Sequence, residues 1–186
     1  MSTTSKDSSL LGRRLVASFV FWSVYVALPV GRQRPVEAWW LSARFSPTAT
    51  TYESLPVTKL DPSWVKVSFL DYDILPRDSQ DDVGWMRRDG FVFRVDNFFV
   101  LKGATNRVST GVYEDRTGRR GRFLLVLQKS TGGGWQVAFL HKEPGEAGFS
   151  VLRRKSGNLY WGTCLQCDEF VRLVMKHGRF TIEPVQ

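Results

Sequence analysis

The chain is poor in the side chains that carry covalent and metal chemistry: 2 cysteines, 2 histidines and 3 methionines in 186 residues. With so few histidines and no spaced carboxylate dyad, no nucleophilic or acid–base constellation can be assembled from the pattern alone. The cysteines form one Cys164-Leu-Gln-Cys167 motif with no second CxxC to complete a zinc site. Zinc would need two more ligands, for which only His177 and His141 are at hand. The glycines of residues 131–135 (TGGGW) lack the lysine and hydroxyl of a phosphate loop and read as turn residues. No cofactor is implied.

Long apolar runs are also scarce, which makes the single one informative. Residues 15–30 (LVASFVFWSVYVALPV) are uncharged and fenced by Arg13 and Arg14 before and Arg32 and Arg34 after. A spanning helix needs about 20 apolar residues to cross roughly 30 Å. This stretch is short of that, but bilayer thinning and snorkelling arginines make up such deficits. Its large side chains cover every face of a helix, unlike a core helix with one apolar stripe. The rival is a cleaved signal peptide: Lys6, Arg13 and Arg14 form a basic leader, and Val36-Glu37-Ala38 is a small-residue cleavage pattern. The anchor is the favoured reading, with residues 1–14 as a tail.

Basic residues flanking the segment are balanced, so the positive-inside rule does not fix its orientation. An inside amino terminus is the convention for a single-pass anchor, placing the rest of the chain outside the cytoplasm. Residues 35–45 (PVEAWWLSARF) then read as a short helix whose Val36, Trp39, Trp40 and Ala43 share one stripe. Trp39 and Trp40 fit either an aromatic belt at the membrane interface or a helix packed on the adjoining domain. Residues 46–63, rich in proline and hydroxyls, read as a tether, so 31–63 is a juxtamembrane helix plus linker.

The formal net charge of +8 overstates the basicity of the domain, because the leader carries much of it. From residue 46 onward the balance is lopsided, acidic in 46–100 and basic in 101–186. Such a split makes either a mixed solvated surface or a basic face for an anionic partner.

Residues 64–186 read as strands separated by turn chemistry about every ten residues, which predicts a mainly β, antiparallel meander closing into a sandwich, barrel or propeller-like sheet. Asp96-Asn97 predicts a two-residue hairpin between residues 91–95 and 98–101. Residues 168–178 fit both a capped helix and a strand; the valines and the alternation after them favour a hairpin. The acids Asp71, Asp73, Asp78, Asp81, Asp82 and Asp89 lack the calcium-loop order and read as an exposed loop.

The cysteine spacing has a geometric consequence. Residues three apart on a strand are about 10 Å apart, too far for a disulfide. Bonded cysteines therefore require a turn centred on Leu165 and Gln166. A structural disulfide suits an oxidising compartment. A redox pair would need a helix amino terminus in a βαβ setting, which the pattern around the motif lacks. Four arginines crowd one turn, Arg116, Arg119, Arg120 and Arg122, either as a charged hairpin tip or as a contact for anionic lipid or an acidic protein. Nucleic acid is disfavoured as a partner of an exported domain.

The expectation is a membrane-anchored, extracytoplasmic β-domain, a non-catalytic interaction or structural module at the envelope with a protein partner. A thiol/disulfide or metal component using Cys164 and Cys167 is the alternative. So is a cytoplasm-facing basic domain that binds anionic lipid or nucleic acid.

Overall fold

Alternating apolar and polar residues put one face of each strand against a core, and ladders then form between neighbours in sequence. The computed structural model describes residues 38–101 and 103–185, which fall in one compact unit, Val36–Gln186. The 15–30 segment with Arg13, Arg14, Arg32 and Arg34, and with it the choice between anchor and signal, lies outside the described residues. Among those described, no helix is long and apolar enough to cross a membrane.

The elements are α1 (Trp39–Ser42), β1 (Thr51–Tyr52), β2 (Leu55–Pro56), α2 (Val57–Leu60), β3 (Trp64–Phe69), a 3-10 turn (Arg77–Ser79) and α3 (Gln80–Arg88). They continue with β4 (Phe91–Val92), β5 (Arg94–Asp96), β6 (Ala104–Asp115), β7 (Arg120–Ser130) and β8 (Trp135–Pro144). Last come β9 (Val151–Lys155), β10 (Asn158–Gly162), β11 (Phe170–Lys176) and β12 (Arg179–Pro184). The chain is mainly β, as its pattern predicts, and these strands pair antiparallel.

One sheet runs β3-β6-β7-β8, with β5 also on β6; the other runs β12-β11-β10-β9-β4. A small β1-β2 ladder stands apart. The chain passes from one sheet to the other between β4 and β5: Phe91 pairs with Arg153, whereas Val95 pairs with Val108.

β7 shows why three layers form. Phe123, Leu124, Leu125, Val126 and Leu127 are all fully buried, so both faces of this strand need cover. Leu124 and Val126 meet Leu152, Leu159, Trp161 and Leu173 of the second sheet. Phe123, Leu125 and Leu127 point the other way, under Val57, Leu60 and Trp64. Gly111 opposite Phe123 is a steric necessity, since a Cβ there would lie 2.4 Å from the Ser68 carbonyl oxygen.

That outer cover corrects the reading of 31–63 as helix and linker. Val57 and Leu60 are 3% and 5% exposed, and the domain takes in residues from 38 onward. Prolines and hydroxyls dominate this stretch, but its few apolar side chains are spaced to cap the outer sheet. Among the described residues, the helix expected over 35–45 is a single turn, Trp39–Ser42. The acidic stretch is corrected as well: residues 77–88 form the 3-10 turn and α3, with Asp81 and Asp82 in the first helical turn and Arg87 and Arg88 in the last, matching the helix dipole. The hairpin at Asp96-Asn97 is the third correction. Asn97 does take a positive φ of 53°, but Phe98 and Phe99 do not return along β5. Asn106 captures that segment instead, accepting from the Phe99 N–H and donating to its carbonyl.

Candidate functional site

β10 ends at Gly162, where a Cβ would collide with the Phe170 ring 2.7 Å away on the paired strand. The connection to β11 turns back over that ring. Cys164 and Cys167 come to disulfide distance, with Cα atoms 5.8 Å apart, and the Cys167 N–H donates to Cys164 Sγ at 2.7 Å. The expected turn around Leu165 and Gln166 is present. Segment 168–178 resolves as strand β11 and a turn at His177-Gly178, both with positive φ.

The two sulfurs differ in setting. Cys164 is 8% exposed and packs in the core with Leu165, Phe170, Phe149, Trp39 and Trp40. Cys167 is half-buried and lines two clefts, one on each side of the corner. Trp39 and Trp40 therefore cover this corner from the domain side. Their indoles pack edge to face, and Trp39 Nε1 donates to Asp82 of α3 at 2.8 Å. Of the two placements open to this pair, both indoles take the one packed on the domain, and Leu41 and Ser42 of that turn are exposed.

The first cleft, about 310 Å³, is walled by Trp40, Arg44, Arg122, Glu146, Cys167 and Glu169. Arg44 is ion-paired with Glu146. Arg122 pairs with Glu143 at 3.4 Å and donates to the Phe149 carbonyl, while its buried Nε has no partner among the described residues. The second cleft, about 470 Å³, is lined by Arg153, Lys155, Tyr160, Cys167, Asp168 and Phe170. Arg153 lies 4.7 Å over the Phe91 ring and pairs with Asp89 at 3.2 Å, and its Nε is likewise buried without a partner among the described residues. A guanidinium thus flanks the cysteine pair on either side. Each guanidinium is already paired with an acid of the domain, Glu143 or Asp89.

The other residues singled out in the sequence do not converge on this corner. His141 is on β8, 4.0 Å from Glu143 and edge-on to Trp161; His177 is in the β11–β12 turn. Among the described residues no group of three His, Cys, Asp or Glu side chains is placed to hold a metal ion. The arginine turn is divided. Arg116 and Arg119 project from the β6–β7 hairpin, whose tip is organised by Asp115 accepting from the N–H groups of Thr117 and Arg119. Arg120 is paired with Glu114, and Arg122 belongs to the first cleft. Thr117, first, and these backbone N–H groups hold the Asp115 carboxyl below the usual aspartate value. Nothing local in the sequence marks Arg153; only the register beside Phe91 brings it to the corner.

The chain matches no family model, no curated protein and no solved structure.

Proposed function

We propose that this chain is a membrane-anchored β-domain, held outside the cytoplasm by its 15–30 segment, that works as a non-catalytic interaction or structural module at the envelope. One observation carries the reading: the Cys164–Cys167 pair sits at disulfide distance in a tight turn between antiparallel strands. A pair in that setting suits an oxidising compartment. Shallow clefts with a guanidinium on either side fit contact with an acidic segment of a partner protein.

Thiol–disulfide exchange is the second reading, favoured by the half-buried Cys167 facing both clefts. Labelling of intact cells with an impermeant maleimide–polyethylene glycol, with and without reductant, tests the first. Labelling that requires reductant but not lysis supports an exported, oxidised domain. Labelling that requires lysis but no reductant overturns it. The two readings then separate by substitution: Cys164→Ser with Cys167→Ser preserves an interaction module, whereas exchange chemistry is lost with either cysteine.

A further inference from the structure

One loop between the sheets' strands presents bare hydrocarbon to solvent. Residues 97–103 (NFFVLKG) leave β5 and return into β6, and Val100 at the tip is 96% exposed. The loop is built, not slack. Asn106, 1% exposed, donates to the Phe99 carbonyl at 2.6 Å and accepts from its N–H at 3.2 Å, while Asn97 Oδ1 takes the Asn106 N–H. The Phe99 ring meets Phe98 and Phe180 edge-on, both at about 5 Å between centroids. The Phe99 backbone beside the tip is thus held in place, and it leaves the Val100 side chain in water.

Three other connections share this end. Thr131 of the β7–β8 loop donates to the Gly103 carbonyl through both its N–H and its hydroxyl. The Phe99–Phe180 contact brings in the β11–β12 turn. The β9–β10 turn lies at the same end of its sheet, because Leu159 pairs with Leu173. Stretches 98–103 (FFVLKG), 129–135 (KSTGGGW), 154–158 (RKSGN) and 176–179 (KHGR) contain six Lys and Arg residues and no acid.

Lys129, Arg154 and Arg179 are exposed and make no ion pair among the described residues, and Lys155, which also lines the second cleft, makes none either. Lys176 is paired with Glu183, and the nearby Asp96 is taken by Arg94 and Arg107. At the opposite end of β6 and β7 the loops are mixed in charge, 114–120 reading EDRTGRR and 143–148 reading EPGEAG.

We propose that this end of the domain docks on an anionic bilayer surface, Val100 entering the headgroup region and the ring of cations lying on lipid phosphates. An exposed aliphatic tip beside turns that carry exposed, unpaired cations is complementary to that surface in both chemistries. Nucleic acid is the poorer fit: its stacking partners would be the two phenylalanines, and those rings pack on each other and on Phe180. The inference does not depend on the 15–30 segment being an anchor, although an anchor would raise the local concentration of this end at the membrane.

The test uses the full chain, with the native cysteines left bonded and an environment-sensitive fluorophore on Val100→Cys. A matching probe on Thr117→Cys marks the opposite end. Each is reconstituted with vesicles of phosphatidylcholine alone or mixed with phosphatidylglycerol. The expected result is a blue-shifted emission at position 100, quenched by brominated lipid, only where phosphatidylglycerol is present. High salt reverses it, and Lys129→Glu with Arg179→Glu abolishes it in a variant whose near-ultraviolet circular dichroism is unchanged. Position 117 stays in water throughout. The proposal is overturned if position 100 stays in water on both vesicles, if it shifts equally on the neutral ones, or if it responds to a soluble oligonucleotide and not to lipid. Flotation with neutral vesicles reports the 15–30 segment separately, so a chain that fails to float yet shifts on phosphatidylglycerol keeps this inference and removes the anchor.

Discussion

The indole N–H of Trp161 donates to Thr110 Oγ1 across 2.8 Å inside the core, joining β10 of one sheet to β6 of the other. The same hydroxyl lies 2.6 Å from Ser150 Oγ and donates to the Phe123 carbonyl. All three hydroxyl and indole partners are buried, so this small network fixes which residue of β6 faces β10. A polar cluster in an apolar core is tolerated because its members satisfy one another.

Thr110→Val keeps the shape and removes the shared hydroxyl. The Trp161 N–H is then buried without an acceptor, at a cost of about 1–3 kcal/mol. Urea unfolding should show a lower midpoint with an unchanged slope. An unchanged midpoint would mean that the network does not hold the two sheets together.

Trp40 is 9% exposed against the cysteine corner. Trp40→Ala should therefore destabilise the domain by about 3–5 kcal/mol, as for other large-to-small core changes. A tryptophan serving only as a membrane belt would leave the unfolding midpoint where it is. Circular dichroism melts of the purified chain distinguish the two outcomes.

The cysteine pair closes a very short loop, so joint replacement by serine should cost about 2 kcal/mol or less. The single changes should be unequal. Cys164→Ser places a hydroxyl in the buried site and should lower the melting temperature more than Cys167→Ser, whose side chain is half-buried.

Acid should weaken the fold through a few carboxylates. Burial raises the Asp96 carboxyl, but hydrogen bonds from Arg107 and Arg94 outweigh it and leave it below the ordinary 3.8. Asp61 follows the same balance, with Lys142 and Ser63 prevailing over burial. Glu183 is held down from 4.5 by Lys176 first and then Arg172. For groups depressed in the folded state, the stabilisation is complete above the unfolded values and is lost as pH falls through the lower folded ones. Stability should thus be flat above about pH 5 and decline below about pH 4, given those ordinary values. Asp96→Asn should reduce the acid-side slope; a pH series of urea midpoints that keeps its slope would refute the assignment.

Asn106→Ala should free the 97–103 loop. Two hydrogen bonds to Phe99 vanish, and amide exchange at Phe99 should accelerate while β7 stays protected. Equal protection in wild type and variant would show that Phe180 packing alone holds the loop.

The strands are legible in the sequence because their signal is local. Residues 64–69, 123–129, 170–176 and 179–183 carry the pattern of a chain with at least one buried face, and each lies in a strand. The Cys164–Cys167 turn is legible too, from the reach of an extended backbone. The 46–63 stretch misleads for the opposite reason: its composition is that of a linker, and only the bare outer face of β7 gives Val57 and Leu60 something to cover. Arg153 and the 97–103 loop leave no local signal because their roles depend on partners far away in sequence, Phe91 and Asn106.

By itself the sequence determined that the domain is antiparallel β and that bonded cysteines require a bend, since side-chain alternation and backbone reach are properties of neighbours. Tertiary structure decided which strands share a core, that Trp39 and Trp40 belong to it, and that the 97–103 loop meets Phe180 and Thr131. Those depend on register and sheet packing, where burying the second face of a strand selects partners from anywhere in the chain.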